Sequence, residues 1–90
     1  MKSLNSPDLA ARSLAALWHP CTQMARAAVT PPLAIARGEG PWLFDLEGRR
    51  YFDANSSWWV NLFGHSDAGI RAAITHQLET LPHVMLAGCT

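Results

Sequence analysis

Several features that mark particular protein classes are scarce or missing in this chain of 90 residues. No apolar run approaches the roughly 18 residues that span a bilayer, so the sequence predicts no membrane partner. The two cysteines, Cys21 and Cys89, are too few and too far apart for a disulfide framework, which favours a cytoplasmic protein. The formal net charge is zero, so the charge balance predicts no nucleic-acid partner.

Reactive groups are equally sparse. Lys2 is the only lysine, so chemistry that needs an internal lysine as a Schiff-base nucleophile cannot be done by this chain alone. Histidines and cysteines are scattered at spacings that match no paired ligand motif, which predicts no metal site. No nucleophile elbow surrounds Ser56 and Ser57, and no phosphate-binding glycine loop is present. We therefore expect no catalytic or cofactor-binding residue within the chain.

The pattern of apolar and turn residues predicts an α/β arrangement of helix, sheet and helix. The first helix begins with Ser6 as its cap and stops before Pro20. Strands over residues 33–36, 42–45 and 50–53, separated by glycine turns, predict a small antiparallel meander. A second helix follows and ends before Pro82.

Asp67 has the features of a cap for that second helix, which carries one apolar stripe. The stripe consists of Ile70, Ile74, Leu78 and Leu81. These few elements do not close on themselves, so we expect further polypeptide or a second chain to cover the apolar faces. The abrupt ending after an apolar run also suggests a fragment.

Trp58 and Trp59 are adjacent, with small polar residues before them and Gly64 and His65 soon after. In an extended segment neighbouring side chains point to opposite faces, so both rings cannot enter one core. One ring is then expected to pack inward while the other lines a cleft or meets another surface. The alternative is a pair of ordinary core or interface aromatics.

Four blocks of the sequence belong together: LWHPCTQM at residues 17–24, GRR at 48–50, SSWW at 56–59 and HVMLAGCT at 83–90. In this order they resemble one family, the 7,8-diaminononanoate aminotransferases of biotin biosynthesis, which are class III pyridoxal-phosphate enzymes. The resemblance implies the N-terminal portion of a homodimeric fold type I transferase. It also implies transfer of an amino group from S-adenosylmethionine to 8-amino-7-oxononanoate. The residues that hold pyridoxal 5'-phosphate in this family lie beyond Thr90.

The resemblance assigns substrate contacts to two positions. The first tryptophan of the SSWW block contacts substrate in the family, which implies that role for Trp58 and an inward-packed Trp59. The second position is Cys21, where the best-known members have a tyrosine that stacks on adenine. A thiol is smaller and cannot stack on a purine, so either another ring substitutes or donor recognition is weakened or different.

The resemblance also divides the chain into three parts. Residues 1–32 form an N-terminal arm and helix, 33–55 the β-meander, and 56–90 a substrate-facing loop, a helix and the start of the large domain. As an isolated chain, this segment is predicted to be inactive. Two alternatives stay open: a stand-alone interaction or dimerisation module from a truncated gene, and another class III ω-aminotransferase.

Overall fold

The computed structural model describes residues 6–27 and 29–90, with side chains from residue 8 onward within those ranges. In chain order the elements are α1 (Ser6–Ala16), a 3-10 turn (Met24–Arg26), β1 (Ile35–Glu39), β2 (Trp42–Asp45), β3 (Arg50–Phe52), α2 (Ser56–Trp59) and α3 (Ala68–Thr80). The predicted succession of helix, meander and helix is present. Lys2 and the side chain of Ser6, with its predicted capping role, lie outside the described residues.

The three strands form an antiparallel sheet in the order β1-β2-β3, as the sequence predicts. The bounds of the first strand are wrong in that prediction, because β1 begins two residues later and continues through Gly38 and Glu39. Glu39 pairs with Trp42, which leaves Gly40 and Pro41 as the two-residue hairpin loop. A proline cannot donate to the ladder, and its position in the loop avoids that loss.

The turn between β2 and β3 is organised by one buried carboxylate. Asp45 is only 3% exposed, and its Oδ1 accepts from the backbone N–H groups of Glu47 and Arg49 at 3.0 and 2.9 Å. Its Oδ2 accepts from Arg49 Nε at 2.6 Å and from the Tyr51 hydroxyl at 2.9 Å. Burial would raise the pKa of Asp45, but these donors outweigh it and lower the pKa to about 2.

The two long helices differ in how well the sequence predicts their ends. Asp67 caps α3 as expected, accepting from the backbone N–H of Ile70 at 2.9 Å. The C-terminal end of α3 also matches, since Leu81 is its C-cap. Helix α1 was expected to continue until just before Pro20, but it ends earlier, at Ala16. A hydrogen bond from the Leu17 N–H to the Ser13 carbonyl, at 2.9 Å, closes its last turn. Leu17 is exposed, so no packing supports a further turn.

The apolar core within the described residues is small. Its buried members are Ala10, Ala27 and Ala34, and no large side chain among the described residues is fully buried. The stripe on α3 is 47–56% exposed. None of the described helices combines the length and the apolar character that a membrane crossing requires. The apolar side chains of residues 56–90 therefore form a surface that the rest of this chain leaves open.

Candidate functional site

Helix α2 is not an ordinary helical turn, because all four of its residues have positive φ. The values are 52° for Ser56, 48° for Ser57, 73° for Trp58 and 66° for Trp59. These are left-handed angles, which cost L-residues other than glycine about 1–2 kcal/mol each. The extended conformation expected for this segment is wrong. A strained run of this kind persists only where its surroundings hold it.

Both indole rings project from this turn into solvent. Trp58 is 57% exposed and Trp59 is 80% exposed, so the expected inward packing of Trp59 does not occur within this chain. Their ring centroids lie 6.5 Å apart with an interplanar angle of 84°, an edge-to-face pair. The two side chains form one aromatic unit because the left-handed backbone removes the alternation that an extended segment would impose.

Asp53 anchors the beginning of the left-handed turn. Its Oδ2 accepts from the Ser57 hydroxyl at 2.8 Å, and its carbonyl accepts from the Ser56 N–H at 3.3 Å. The Ser57 backbone N–H and hydroxyl lower the pKa of Asp53, against the opposing effect of burial. The carboxylate therefore stabilises the turn in its charged form.

His65 approaches the same carboxylate from the other side of the loop. Its Nε2 donates to Asp53 Oδ2 at 2.8 Å, and its Nδ1 accepts from Asn61 Nδ2 at 3.1 Å. This pattern fits the neutral imidazole with its proton on Nε2. The side chains of His65 and Asp53 are 14% and 8% exposed. The histidine is a satisfied group that ties residues 61–65 to the end of β3.

The backbone of both partners is fastened to the β1–β2 hairpin. The Asp53 N–H donates to the Pro41 carbonyl at 2.9 Å, and the His65 N–H donates to the Gly40 carbonyl at 2.7 Å. The loop that carries the tryptophans therefore begins and ends on the same hairpin turn.

Two glycines allow this close approach. A Cβ on Gly38 would lie 2.5 Å from the Cβ of His65, and a Cβ on Gly64 would lie 2.9 Å from the carbonyl oxygen of Gly40. Gly64 also has a φ of +79°, which disfavours other residues. The sequence pattern indicated a turn at Gly38, but its role is to admit the histidine.

The second predicted site residue, Cys21, takes no part in the hydrogen bonds that hold this loop among the described residues. It is exposed, with a φ of 49°, and lines a groove formed entirely by residues 21–30. A larger groove of about 580 Å³ is lined by residues from 60–75 and does not include Trp58. Among the described residues, therefore, neither of these two grooves is lined by both Trp58 and Cys21.

The chemistry that the described residues can perform is limited to binding and orientation. No group of three or more histidines, cysteines or acidic residues among them could hold a metal ion. Asp53 and His65 were missed as site residues because their pairing joins positions twelve apart. The sequence did hold one signal for Asp53, which follows β3 directly and has a serine, Ser57, four positions later. That spacing indicates a hydrogen bond only when the conformation of the turn between them is known.

A sequence profile described as "Aminotransferase class-III" matches residues 23–90. The adenosylmethionine-8-amino-7-oxononanoate aminotransferase of Helicobacter pylori is 45% identical over 80 residues, which is 89% of this chain and 18% of that protein. The crystal structure of the enzyme of the same name from Methanocaldococcus jannaschii superposes with a TM-score of 0.83 at 43% identity, covering 93% of this chain and 19% of that one.

A more distant structure carries a cofactor. The omega transaminase from Pseudomonas jessenii in complex with PMP has a TM-score of 0.78 at 28% identity, and the match covers 91% of this chain and 18% of that chain. In all three matches this chain spans less than a fifth of its relative.

Proposed function

This chain belongs to the class-III aminotransferase family, and on that premise we propose that it forms the N-terminal, substrate-facing part of a biotin-pathway aminotransferase. The complete enzyme would transfer an amino group from S-adenosylmethionine to 8-amino-7-oxononanoate in the cytoplasm. The resemblance found in the sequence and the predicted α/β fold type I class are confirmed by the family match and the superposed structure.

The observation that carries the proposal is the exposed indole of Trp58 on a strained and anchored turn. Backbone strain that is maintained by several hydrogen bonds is characteristic of functional sites. A large aromatic surface offers a substrate a rigid face with little loss of side-chain entropy on binding. We propose that Trp58 is a wall of the substrate pocket.

Pyridoxal 5'-phosphate is the cofactor of this family, and it supplies the electron sink for amino transfer when bound. The described residues do not fit its anchoring site, because they include no lysine that could hold it covalently. This segment therefore contributes to substrate binding, and we assign none of its residues a cofactor contact.

The open apolar surface supports the assignment to a larger, dimeric protein. Exposed apolar patches of this extent usually mark surfaces that other polypeptide covers. We propose that the remainder of the aminotransferase and the second subunit of a homodimer cover α3 and the loop before it. A stand-alone interaction module is not favoured, because the chain aligns along nearly its whole length with less than a fifth of much longer enzymes.

The proposal is tested in the complete polypeptide that carries this segment. We expect Trp58→Ala to lower kcat/KM for transamination about a hundredfold, because a lost wall misplaces the substrate. Thr80→Ala is the matched control, since among the described residues the exposed Thr80 hydroxyl bonds the His76 carbonyl of its own helix and no other group. Equal effects of the two substitutions would remove Trp58 from the site.

A second candidate function, transfer from another ω-amine donor, is favoured by Cys21. The exposed thiol cannot provide the aromatic face implied for adenine recognition. If S-adenosylmethionine is the donor, we expect Cys21→Tyr to lower its KM severalfold, with Cys89→Tyr as a control at the other cysteine. An unchanged KM, together with faster turnover of other amine donors, would favour the second candidate.

A further inference from the structure

We propose that Asp53, supported by His65, is a positioning residue that sets the orientation of Trp58 toward substrate. The inference rests on the proposed function, because it concerns how the substrate wall is held. It adds two residues to the site that the sequence pattern does not single out. Among the described residues neither forms a hydrogen bond with the indole, so both act through the backbone of the left-handed turn.

The first step is that Asp53 holds the turn at both of its serines. Its carbonyl accepts the Ser56 N–H and its carboxylate accepts the Ser57 hydroxyl, at 3.3 and 2.8 Å. Both serines have left-handed φ values near 50°. A left-handed turn of ordinary residues unwinds unless such bonds hold it. The position of the next residue, Trp58, therefore depends on Asp53.

The second step is that Asp53 is itself fixed. Its N–H donates to the Pro41 carbonyl in the hairpin, and its carboxylate accepts a hydrogen bond from His65 Nε2 at 2.8 Å. His65 is fixed in turn by Asn61 and by the packing of its Cβ against Gly38. A largely buried carboxylate whose Oδ2 accepts two hydrogen bonds, at a point tied to the sheet, is a rigid support.

The third step is that the Trp58 side chain has little other support within the described chain, although the Trp59 N–H closes the backbone of the turn on the Asn55 carbonyl at 2.7 Å. More than half of its surface is exposed, and its ring contact is with the still more exposed Trp59. The orientation of the indole thus follows the backbone rather than surrounding side chains. Loss of the Asp53 carboxylate would move Trp58 while leaving the Asp45 turn of the sheet intact.

The test is a double-mutant cycle in the complete aminotransferase. We expect Asp53→Asn to lower kcat/KM for amino transfer about tenfold when Trp58 is present and less than twofold in the Trp58→Ala background. Asp67→Asn is the matched control, because it removes a carboxylate that caps α3 and should leave kcat/KM unchanged. An equal loss in both Trp58 backgrounds would overturn the inference.

A second readout does not depend on activity. Two indoles held edge to face give an exciton couplet in the far-ultraviolet circular dichroism. The difference between the spectra of wild type and Trp58→Phe identifies the contribution of Trp58 to that couplet. We expect Asp53→Asn to weaken that contribution with the thermal transition retained, because a neutral amide oxygen accepts the Ser57 and His65 bonds less strongly than a carboxylate. A couplet of unchanged amplitude in Asp53→Asn would overturn the inference even in an active enzyme. A wild-type protein without transaminase activity would instead overturn the proposed function and leave this readout to decide the positioning role.

Ser57→Gly serves if Asp53→Asn does not fold. Glycine accepts the φ of 48° at this position and removes only the hydroxyl that Asp53 holds. We expect a weakened Trp58 contribution to the couplet, whereas Ser56→Gly should preserve it, because no hydrogen bond of the Ser56 hydroxyl occurs among the described residues. Equal couplets in the two glycine variants would contradict the proposal.

Discussion

The turn around Asp45 and the turn around Asp53 are each organised by an aspartate carboxylate. They differ in backbone conformation and in how far along the sequence the hydrogen-bond partners lie. Asp45 organises residues 45–51 with donors that are at most six positions away, and the backbone there needs only one glycine with positive φ, Gly48. Asp53 holds four consecutive left-handed residues, none of them glycine, and needs His65 from twelve positions away. The first turn is locally consistent, and the second is strained and held from a distance.

The comparison extends to the surfaces on either side. The sheet side has a buried, fully bonded carboxylate, while residues 56–90 expose two indoles and the stripe of α3. A strained loop beside an open apolar surface is typical of a site that is completed by other polypeptide. The chain therefore combines a self-sufficient turn with a surface that is incomplete alone.

The largest expected effect tests whether the α3 surface is covered in the complete polypeptide. We expect Ile74→Ala to lower the free energy of unfolding by about 2–4 kcal/mol there, as for a buried aliphatic side chain. Glu79→Ala, on the opposite face of α3, should change it by less than about 0.5 kcal/mol. Urea denaturation of both variants measures this, and equal effects would mean that the stripe stays in solvent.

The next effect distinguishes the cost of a positive φ from the cost of a steric clash with the β1–β2 hairpin. Gly64 and Gly48 both have φ near +80°, but only Gly64 has atoms within 4 Å of the position that a Cβ would take. We expect Gly48→Ala to cost about 1 kcal/mol from conformation alone. Gly64→Ala should cost about 2 kcal/mol more, because the Gly40 backbone must move. Thermal unfolding compares them, and equal losses would show that the loop can shift freely.

The smallest effect concerns pH and the Asp45 turn. The pKa of Asp45 is about 2 in the folded state, below the ordinary aspartate value of 3.8, so its carboxylate binds fewer protons when folded. Its contribution to stability is then fully present above pH 3.8 and is lost as the pH falls toward about 2. We expect the stability difference between wild type and Asp45→Asn to shrink across this window. A difference that is independent of pH would contradict the depressed pKa.

The predictions made from the sequence succeeded where the determining contacts are local. The Asp67 cap, the end of α3 and the meander all depend on residues within a few positions of one another. The predicted end of β1 was wrong because Gly38 is a glycine for a tertiary reason, the side chain of His65, and not because the chain turns there. The inward packing of Trp59 was wrong because it assumed an extended backbone.

For this protein the sequence alone determined the family, the order of the elements and the apolar face that the chain leaves open, because motif spacing and hydrophobic period survive without coordinates. Only the tertiary structure decided the hand of the turn at residues 56–59 and the group that holds it. The physical reason is that a left-handed turn of serine and tryptophan is unfavourable by local preference. Asp53 and His65, joined on the β1–β2 hairpin, supply side-chain bonds that help to offset its strain, together with the backbone bonds from the Trp59 and Val60 N–H groups to the Asn55 and Ser56 carbonyls.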